Sequence, residues 1–237
     1  ILNPNSLEAY DYELPPELIA NFPTFPKEDA RLLVYERAGE KISHLKFGDL
    51  PEILPPCDII FNDTKVVKAR IFGKKDSGGE TELLLNSPLA DDKFSVYIKG
   101  KVRAGSVLNF DRNLTAEVCE LFEDGSRTVK FSQNGEHLDA AALYKILSHI
   151  GRVPLPPYIK RSDTKDDESW YQSVFAKNEG AVAAPTASLH FSDEMIDRLA
   201  KNREIAYLTL HVGAGTFKGV ESEDITQHKM HAEFYDI

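Results

Sequence analysis

Histidine and acidic residues come together near the end of this 237-residue chain. His228 and His231 are three positions apart, and Glu233 follows two positions later. Two imidazoles and a carboxylate could hold a divalent metal ion, with Asp224 as a fourth candidate ligand. The spacing matches no established motif such as H-E-x-x-H. We therefore expect no metal site. The alternative interpretation, a metal-dependent hydrolase that uses His228, His231 and Glu233, stays open.

A glycine turn lies upstream of these residues. Residues 206–212 predict a buried strand that contains His211, and Gly213-Ala-Gly-Thr216 follows it. Ligands of α/β sheets bind at the carboxyl ends of strands. The spacing of Gly213, Gly215 and Gly219 is one residue too long for a dinucleotide fingerprint, which disfavours a nicotinamide oxidoreductase. His211 is either a reactive group or a hydrogen-bonded core histidine.

The segment from Gly180 to Phe191 consists mainly of small residues, Gly-Ala-Val-Ala-Ala-Pro-Thr-Ala-Ser-Leu-His-Phe. We call it the small-residue block. Small side chains let a backbone approach a ligand closely, and Thr186 and His190 add polar groups. Tight packing beneath a helix would explain the same composition, so the block alone leaves both interpretations open.

Basic residues concentrate in the middle of the chain. Lys99, Lys101 and Arg103 alternate, which predicts that they face one side of a strand. An earlier group, which we call the first basic run, has no acid among its members and comprises Lys65, Lys68, Arg70, Lys74 and Lys75. Two basic strands could follow a phosphate backbone, although a solvated strand face explains them equally well.

The distribution of charge supports a distinct middle segment. The net charge is −10, yet residues 65–149 hold 13 basic against 12 acidic side chains, and the remainder holds 15 against 26. Only two cysteines occur, without a partner motif, which favours a reducing cytoplasm. No apolar run approaches the ~18 residues of a membrane span, and no signal peptide is visible. Because the first residue is Ile1 rather than Met, we expect an altered or missing N-terminus.

Hydrophobic periodicity predicts an α/β protein with an inserted barrel. Residues 31–35 and 58–61 are expected as strands, residues 42–50 as a turn or short helix, and a helix is expected from Pro15 to Pro23. Five short strand-like runs separated by Gly and Asp turns predict a small antiparallel β-barrel. Helices are expected over residues 140–147 and 192–199. The predicted domains are residues 1–64 plus 150–237, which form a discontinuous α/β domain, and residues 65–149, which form the inserted barrel.

Several segments, in this order, resemble one family, the S-adenosylmethionine:tRNA ribosyltransferase-isomerases. The resemblance runs from about Tyr10 to the last residue, and its most specific parts are Ala-Val-Ala-Ala-Pro-Thr-Ala and Leu-His-Val-Gly-Ala-Gly-Thr-Phe. Other matching segments are Asp11–Ala20, Phe61–Val66, Ala69–Gly73, Val153–Ile159 and His228 with Met230, His231 and Glu233. Ser188 stands where the family usually has Gly. The chain stops before the family's C-terminal region, so we expect it to be a piece of a longer protein.

The resemblance implies an enzyme of queuosine biosynthesis. Such an enzyme transfers and isomerises the ribosyl group of S-adenosylmethionine onto 7-aminomethyl-7-deazaguanine at the tRNA wobble position. The product is epoxyqueuosine, and adenine and methionine are released. S-Adenosylmethionine is then a substrate, no tightly bound cofactor is expected, and tRNA is the partner of a cytoplasmic monomer. A non-catalytic RNA-binding protein is a further alternative.

The roles of individual residues are hypotheses that depend on this resemblance. Proton transfer is assigned to a histidine, because the sulfonium acidifies a ribose C5′ proton that a base must remove. The candidates are His190, His211, His228 and His231, with Glu233 orienting one of them. The residues expected to bind S-adenosylmethionine are Ala183, Ala184, Pro185, Thr186, Gly213, Ala214, Gly215 and Thr216. Those expected to contact tRNA or the substrate amine are Asn62, Asp63, Lys65, Lys68, Arg70, Lys99, Lys101 and Arg103.

Overall fold

The structure, a computed structural model, describes residues 3–237. Three short 3-10 helices, Leu7–Tyr10, Pro16–Leu18 and Lys27–Asp29, precede the first strands. Strands β1 (Arg31–Glu36) and β2 (Lys41–Lys46) then pair antiparallel as a hairpin. A 3-10 turn at Phe47–Asp49 leads into the short helix α1 (Leu50–Ile53). Phe47 is buried and packs with Phe191 and Phe61 in a core of the α/β part.

An antiparallel barrel forms the middle of the chain. Its six strands close because β9 pairs with both β8 and β10, and a short seventh strand, β11 (Glu136–His137), extends β10. The interior is filled by buried apolar side chains that include Leu83, Phe94 and Phe131. The barrel strands are β5 (Arg70–Lys75), β6 (Glu80–Pro88), β7 (Lys93–Lys99), β8 (Val107–Asn109), β9 (Leu114–Leu121) and β10 (Ser126–Gln133).

Helix α2 (Ala140–Ile150) packs against this barrel core. Leu143, Ile146 and Leu147 lie on its buried face. The carboxylate of Asp139 caps its first turn by accepting a 2.8 Å hydrogen bond from the Ala142 backbone N–H. After the helix the chain returns to where the barrel began, because the backbones of Arg70 and Arg152 exchange two hydrogen bonds of 3.2 and 2.8 Å.

Two small sheets form the α/β part beside the barrel. Strand β4 (Thr64–Val66) pairs in parallel with β12 (Asn178–Ala181). Strand β13 (Ile205–His211) lies between β3 (Ile59–Asn62), which is parallel to it, and β14 (Phe234–Asp236), which is antiparallel. Helices α3 (Asp167–Trp170) and α4 (Asp193–Ala200) complete this part. Ser192 caps α4 by accepting a hydrogen bond from Met195 N–H.

The α/β class with an inserted antiparallel barrel is therefore confirmed, whereas the domain bounds at 64/65 and 149/150 stay a prediction. Four local expectations are wrong. Residues 41–46 form a strand, and only residues 47–53 are helical. The expected helix after Pro15 is a single 3-10 turn at Pro16–Leu18. Strand β13 is half-exposed rather than buried. Strand β7 ends at Lys99, so Lys101 and Arg103 do not share it.

Within residues 3–237, no helix is both long and apolar enough to cross a membrane.

Candidate active site

The carboxyl end of β13 places His211 among polar partners. Its Nδ1 lies 2.7 Å from Thr64 Oγ1 on β4. The Phe234 ring stacks on the imidazole at 5.9 Å between centroids. A Cβ on Gly180 would lie 2.6 Å from the ring, so only glycine lets β12 run this close. The imidazole is held from three sides.

A hydrogen-bond network beside His211 fixes Asp63. The Thr209 hydroxyl donates to Asp63 Oδ1 at 2.6 Å, and the Asn178 amide donates to both carboxylate oxygens at 3.1 and 3.2 Å. The Asn62 side chain binds the backbone of Leu210 through two hydrogen bonds of 2.9 Å. These contacts tie β3, β12 and β13 together around the histidine.

The environment of His211 disfavours the charged form of its imidazole. Burial lowers the pKa of its imidazole below the ordinary histidine value, while the negative charge of Asp63 acts weakly in the opposite direction. A half-buried, neutral imidazole at the end of a strand can accept a proton near neutral pH.

The glycine turn after β13 has its backbone amides occupied by two side chains. Gly213 N–H donates to Glu233 Oε1 at 2.9 Å, and Ala214 N–H donates to Asn86 Oδ1 at 2.8 Å. Asn86 sits where the β6–β7 register shifts, so a bulge turns its side chain from the barrel toward the turn. The barrel therefore contributes directly to this site.

Glu233 also contacts His231, whose Nε2 lies 3.2 Å from the same Oε1. The imidazole of His231 packs so closely on Gly215 that a Cβ there would collide with the ring. Thr216 is exposed at the end of the turn. Glu233 is predicted to orient one histidine, and His231 lies at hydrogen-bond distance from its carboxylate. The catalytic role of His231 stays a prediction.

The small-residue block begins at the glycine turn. Val182 and Ala183 donate backbone hydrogen bonds of 2.8 and 3.2 Å to the Val212 carbonyl. The side chains of Ala183 and Ala184, like that of Ala214, are buried, so they shape the surroundings through packing. Pro185 and Thr186 lead the block away from β13 toward the surface.

The other two candidate histidines are His190 and His228. His190 packs on Phe47 at 5.2 Å between ring centroids, at the far end of the block. Burial, and to a lesser degree Lys27, lowers its pKa. His228 follows a 3-10 turn at Ile225–Gln227. Across residues 3–237, no three His, Cys, Asp or Glu side chains converge as metal ligands, so the hydrolase alternative gains no support.

The expected tRNA-contacting side chains divide into two groups. Lys65, Lys68 and Arg70 are within ion-pairing distance of Glu179, Glu168 and Glu82, at 3.0, 2.7 and 3.2 Å. These pairs reduce the positive charge that the first basic run can offer.

Two of the remaining residues line a groove. Lys101 and Arg103 border a cavity of about 440 Å³ on the barrel, together with Lys75. Lys99 is exposed and lies 4.0 Å from Glu82. The groove beside Lys101 and Arg103 is thus the more positive part of the predicted tRNA surface.

Four further residues of the site were not singled out in the sequence. Thr64, Asn86, Asn178 and Thr209 bind the candidate residues directly. Thr64 belongs to Asn-Asp-Thr and Thr209 is two positions from His211, so motif neighbourhood could have suggested both. Nothing in the sequence points to Asn86, because its contact depends on a bulge.

The fold and the polar residues gathered around His211 at the carboxyl end of β13 define an α/β enzyme with an inserted β-barrel. A family described as "Queuosine biosynthesis protein" matches residues 7–237. The S-adenosylmethionine:tRNA ribosyltransferase-isomerase of Campylobacter fetus is 65% identical over 232 residues, which cover 98% of this chain and 68% of that protein. The protein of the same name from Nitratiruptor is 52% identical, covering 100% and 70%. The chain belongs to the S-adenosylmethionine:tRNA ribosyltransferase-isomerase family, as its motifs predicted.

The chain is also similar to a solved structure. That structure is the S-adenosylmethionine tRNA ribosyltransferase of Thermotoga maritima, at 28% identity and a TM-score of 0.35. The match covers 95% of this chain and 60% of that one. The chain thus spans about two thirds of the length of its curated relatives and 60% of this solved chain.

Proposed function

We propose that this chain carries the ribosyl transfer and isomerisation named for its relatives, with the reacting centre at the carboxyl end of β13. The observation that supports this location is the convergence of His211, Thr64 and the glycine turn with its Glu233 and Asn86 contacts. The substrates would be S-adenosylmethionine and a tRNA carrying 7-aminomethyl-7-deazaguanine. Adenine and methionine would leave.

His211 is the base that this geometry favours. To accept a proton at Nε2, the ring must carry its hydrogen on Nδ1 and donate it to Thr64 Oγ1, which lies at the required distance. Thr64 is then a positioning residue that fixes the tautomer and orientation of the ring. The acceptor is a neutral imidazole, which suits removal of the C5′ proton next to a sulfonium.

His231 and Glu233 are proposed to stabilise the turn and the charges that develop beside it. Glu233 Oε1 accepts from Gly213 N–H and lies near His231 Nε2, so one carboxylate oxygen joins the turn to the second histidine. A ring N–H of His231 would donate a hydrogen bond to negative charge that develops beside the turn. Gly213–Thr216 and Ala183–Thr186 stay our proposal for the S-adenosylmethionine site, with Ala183, Ala184 and Ala214 acting as packed walls.

We further propose that tRNA lies along the barrel and that S-adenosylmethionine is a dissociable substrate of a cytoplasmic monomer. The groove beside Lys101 and Arg103 supports a phosphate contact because it has the residue types that neutralise nucleic-acid backbones. Asn62 and Asp63 are already engaged with β13 and Asn178, so we assign them a positioning role.

The deciding experiment incubates the protein with S-adenosylmethionine and tRNA carrying the deazaguanine precursor. Adenine and methionine should appear in equal amounts and only with that tRNA. His211→Gln should reduce turnover by about 100-fold or more, because a positioned base contributes roughly 100–10,000-fold. Thr64→Val should reduce turnover by a smaller factor. The matched control is His149→Gln, an exposed histidine in the last turn of α2, which should stay near wild type.

Two results would overturn the proposal. Wild-type turnover in His211→Gln would remove this histidine from the reaction. Binding of tRNA without adenine release by the wild-type protein would support the RNA-binding alternative.

A further inference from the structure

A second cavity lies at the far end of the small-residue block. Its volume is about 270 Å³, just below the roughly 300–1,000 Å³ of sites for drug-sized ligands. There is room for one ring system with its immediate substituent. The residues that matter for its chemistry are Phe22, Phe25, Tyr158, Trp170, Thr186 and His190.

The aromatic walls of this cavity are open to solvent. Phe22, Phe25 and Tyr158 are 59%, 57% and 51% exposed. The rings of Phe22 and Phe25 meet Trp170 at 87° and 50°, with centroids 6.4 and 5.9 Å apart, so they do not cover one another's faces by stacking. Several exposed aromatic rings around one concavity mark a binding surface.

A buried ion pair holds these walls in place. Arg161 makes two hydrogen bonds of 2.7 Å to the Asp167 carboxylate, whose side chain is 3% exposed. The Arg161 Nε–H donates to the Asn21 carbonyl at 2.8 Å, and its guanidinium lies 4.5 Å from the Phe22 ring centroid. The segment that carries Phe22 is therefore fixed before any ligand arrives, which lowers the entropy cost of binding.

Polar groups at the edge of the cavity are available to a ligand. Among residues 3–237, neither the His190 ring nor the Thr186 hydroxyl has a side-chain hydrogen-bond partner, whereas the Arg161–Asp167 pair is fully engaged. Neutral imidazole presents one donor and one acceptor, and a hydroxyl presents both. An unstacked heterocyclic base is recognised by aromatic faces that stack on it and by polar groups that form hydrogen bonds with its edge.

We propose that this cavity binds one purine-type base, stacked against Phe22, Phe25 or Trp170 and hydrogen-bonded at its edge by Thr186 and His190. This inference rests on the proposed function, since both substrates carry such a base. The base could come from the adenosyl group of S-adenosylmethionine or from an unpaired nucleotide of the tRNA anticodon loop. The two sources share one chemistry and are separable by titration.

Trp170 is the only tryptophan of the chain and lines this cavity, so tryptophan fluorescence reports on the surroundings of the cavity. The protein is titrated separately with adenosine, S-adenosylmethionine and an anticodon stem–loop RNA, with free N-acetyltryptophanamide correcting for absorbance. A saturable change with adenosine and S-adenosylmethionine assigns the adenosyl group, and one with the RNA alone assigns a tRNA base. No saturable change with any of the three overturns the proposal.

Matched variants test the stacking directly. Phe22→Leu keeps the apolar bulk but removes a π face, and should weaken the Kd on the order of tenfold. Phe72→Leu, a half-exposed phenylalanine on β5, should leave the Kd unchanged. If Phe22→Leu does not fold, Phe25→Leu replaces it. A wild-type Kd in the folded variant overturns the proposal.

The two proposals fail differently. A saturable titration without adenine release would leave the cavity assignment standing and reject the proposed reaction. Adenine release without a saturable change in Trp170 fluorescence would support the proposed reaction and reject the cavity assignment.

Discussion

Gly180 shows how a single hydrogen atom in place of a methyl group can set the position of a reactive ring. A Cβ at this residue would lie 2.6 Å from His211, whose ring is already held by Thr64 and Phe234. We expect Gly180→Ala to reduce kcat by about 100-fold, because a displacement of roughly 1 Å costs that much. Gly219→Ala, where nothing lies within 4 Å, is the control and should match wild type in steady-state kinetics. Unchanged kcat in Gly180→Ala would mean that the position of His211 is irrelevant.

Asp63 should set the pH dependence of the reaction. Its charge raises the pKa of His211 against the larger lowering by burial. A base must be unprotonated, so kcat/KM should fall as pH drops through that pKa. Removing the charge with Asp63→Asn should lower the pKa further and move the acidic limb to lower pH. Asp193→Asn, which changes an exposed carboxylate, is the control. A shift of the acidic limb to higher pH in Asp63→Asn would contradict the assignment.

At the scale of elements, the Arg161–Asp167 pair joins helix α3 to the segment around Asn21. The hydrogen bonds from Arg161 hold the pKa of the Asp167 carboxyl below its usual value. Asp167→Asn leaves the largely buried Arg161 guanidinium without its counter-charge, so we expect the free energy of unfolding to fall by about 3 kcal/mol. Because the carboxyl pKa is lower when folded, this contribution should be present at neutral pH and be lost as pH falls below about 4.

Urea unfolding at neutral and acid pH measures this effect. The neighbouring Asp166→Asn, an exposed carboxylate, is the matched control and should change stability little. Equal stability of Asp167→Asn and wild type at neutral pH would show that solvent compensates the lost pair.

The sequence predicted elements well where local pattern decides them. The barrel followed from turn residues at short intervals, and the expected helices over residues 140–147 and 192–199 correspond to α2 and α4. It failed where tertiary pairing decides. Strand β2 is formed by Lys41–Lys46, whose polar character hides its pairing with β1.

The candidate site was predicted in part only. Its motifs marked His211 and the glycine turn, but the Thr64–His211 contact joins residues 147 apart. The Asn86 contact also depends on how two regions of the chain pack. No local periodicity carries information of that kind. Pro15 and Pro16 suggested a helix start, but the 3-10 turn at Pro16–Leu18 has no buried apolar face that would support a longer helix.

At the scale of the whole molecule, the placement of charge predicts which basic residues bind tRNA. Lys101→Ala and Arg103→Ala should each weaken tRNA binding and reduce the slope of log K against log salt by about 0.7–0.9. Lys65→Ala and Lys68→Ala should change that slope less, because their ammonium groups pair with Glu179 and Glu168. Filter binding across a salt series gives these slopes. Equal slopes for all four variants would reject the groove beside Lys101 as the phosphate contact.

The double hydrogen bond between Arg70 and Arg152 has a consequence for cooperativity. It brings the entry and exit of the barrel together, so a short peptide could bridge the gap if the barrel were excised. Yet Val182 and Ala214 belong to the same apolar core as the barrel interior. Excision would leave both uncovered, and the turn would lose Asn86. The barrel and the catalytic strand end should therefore melt in one transition, as a single thermodynamic unit despite their separate topologies.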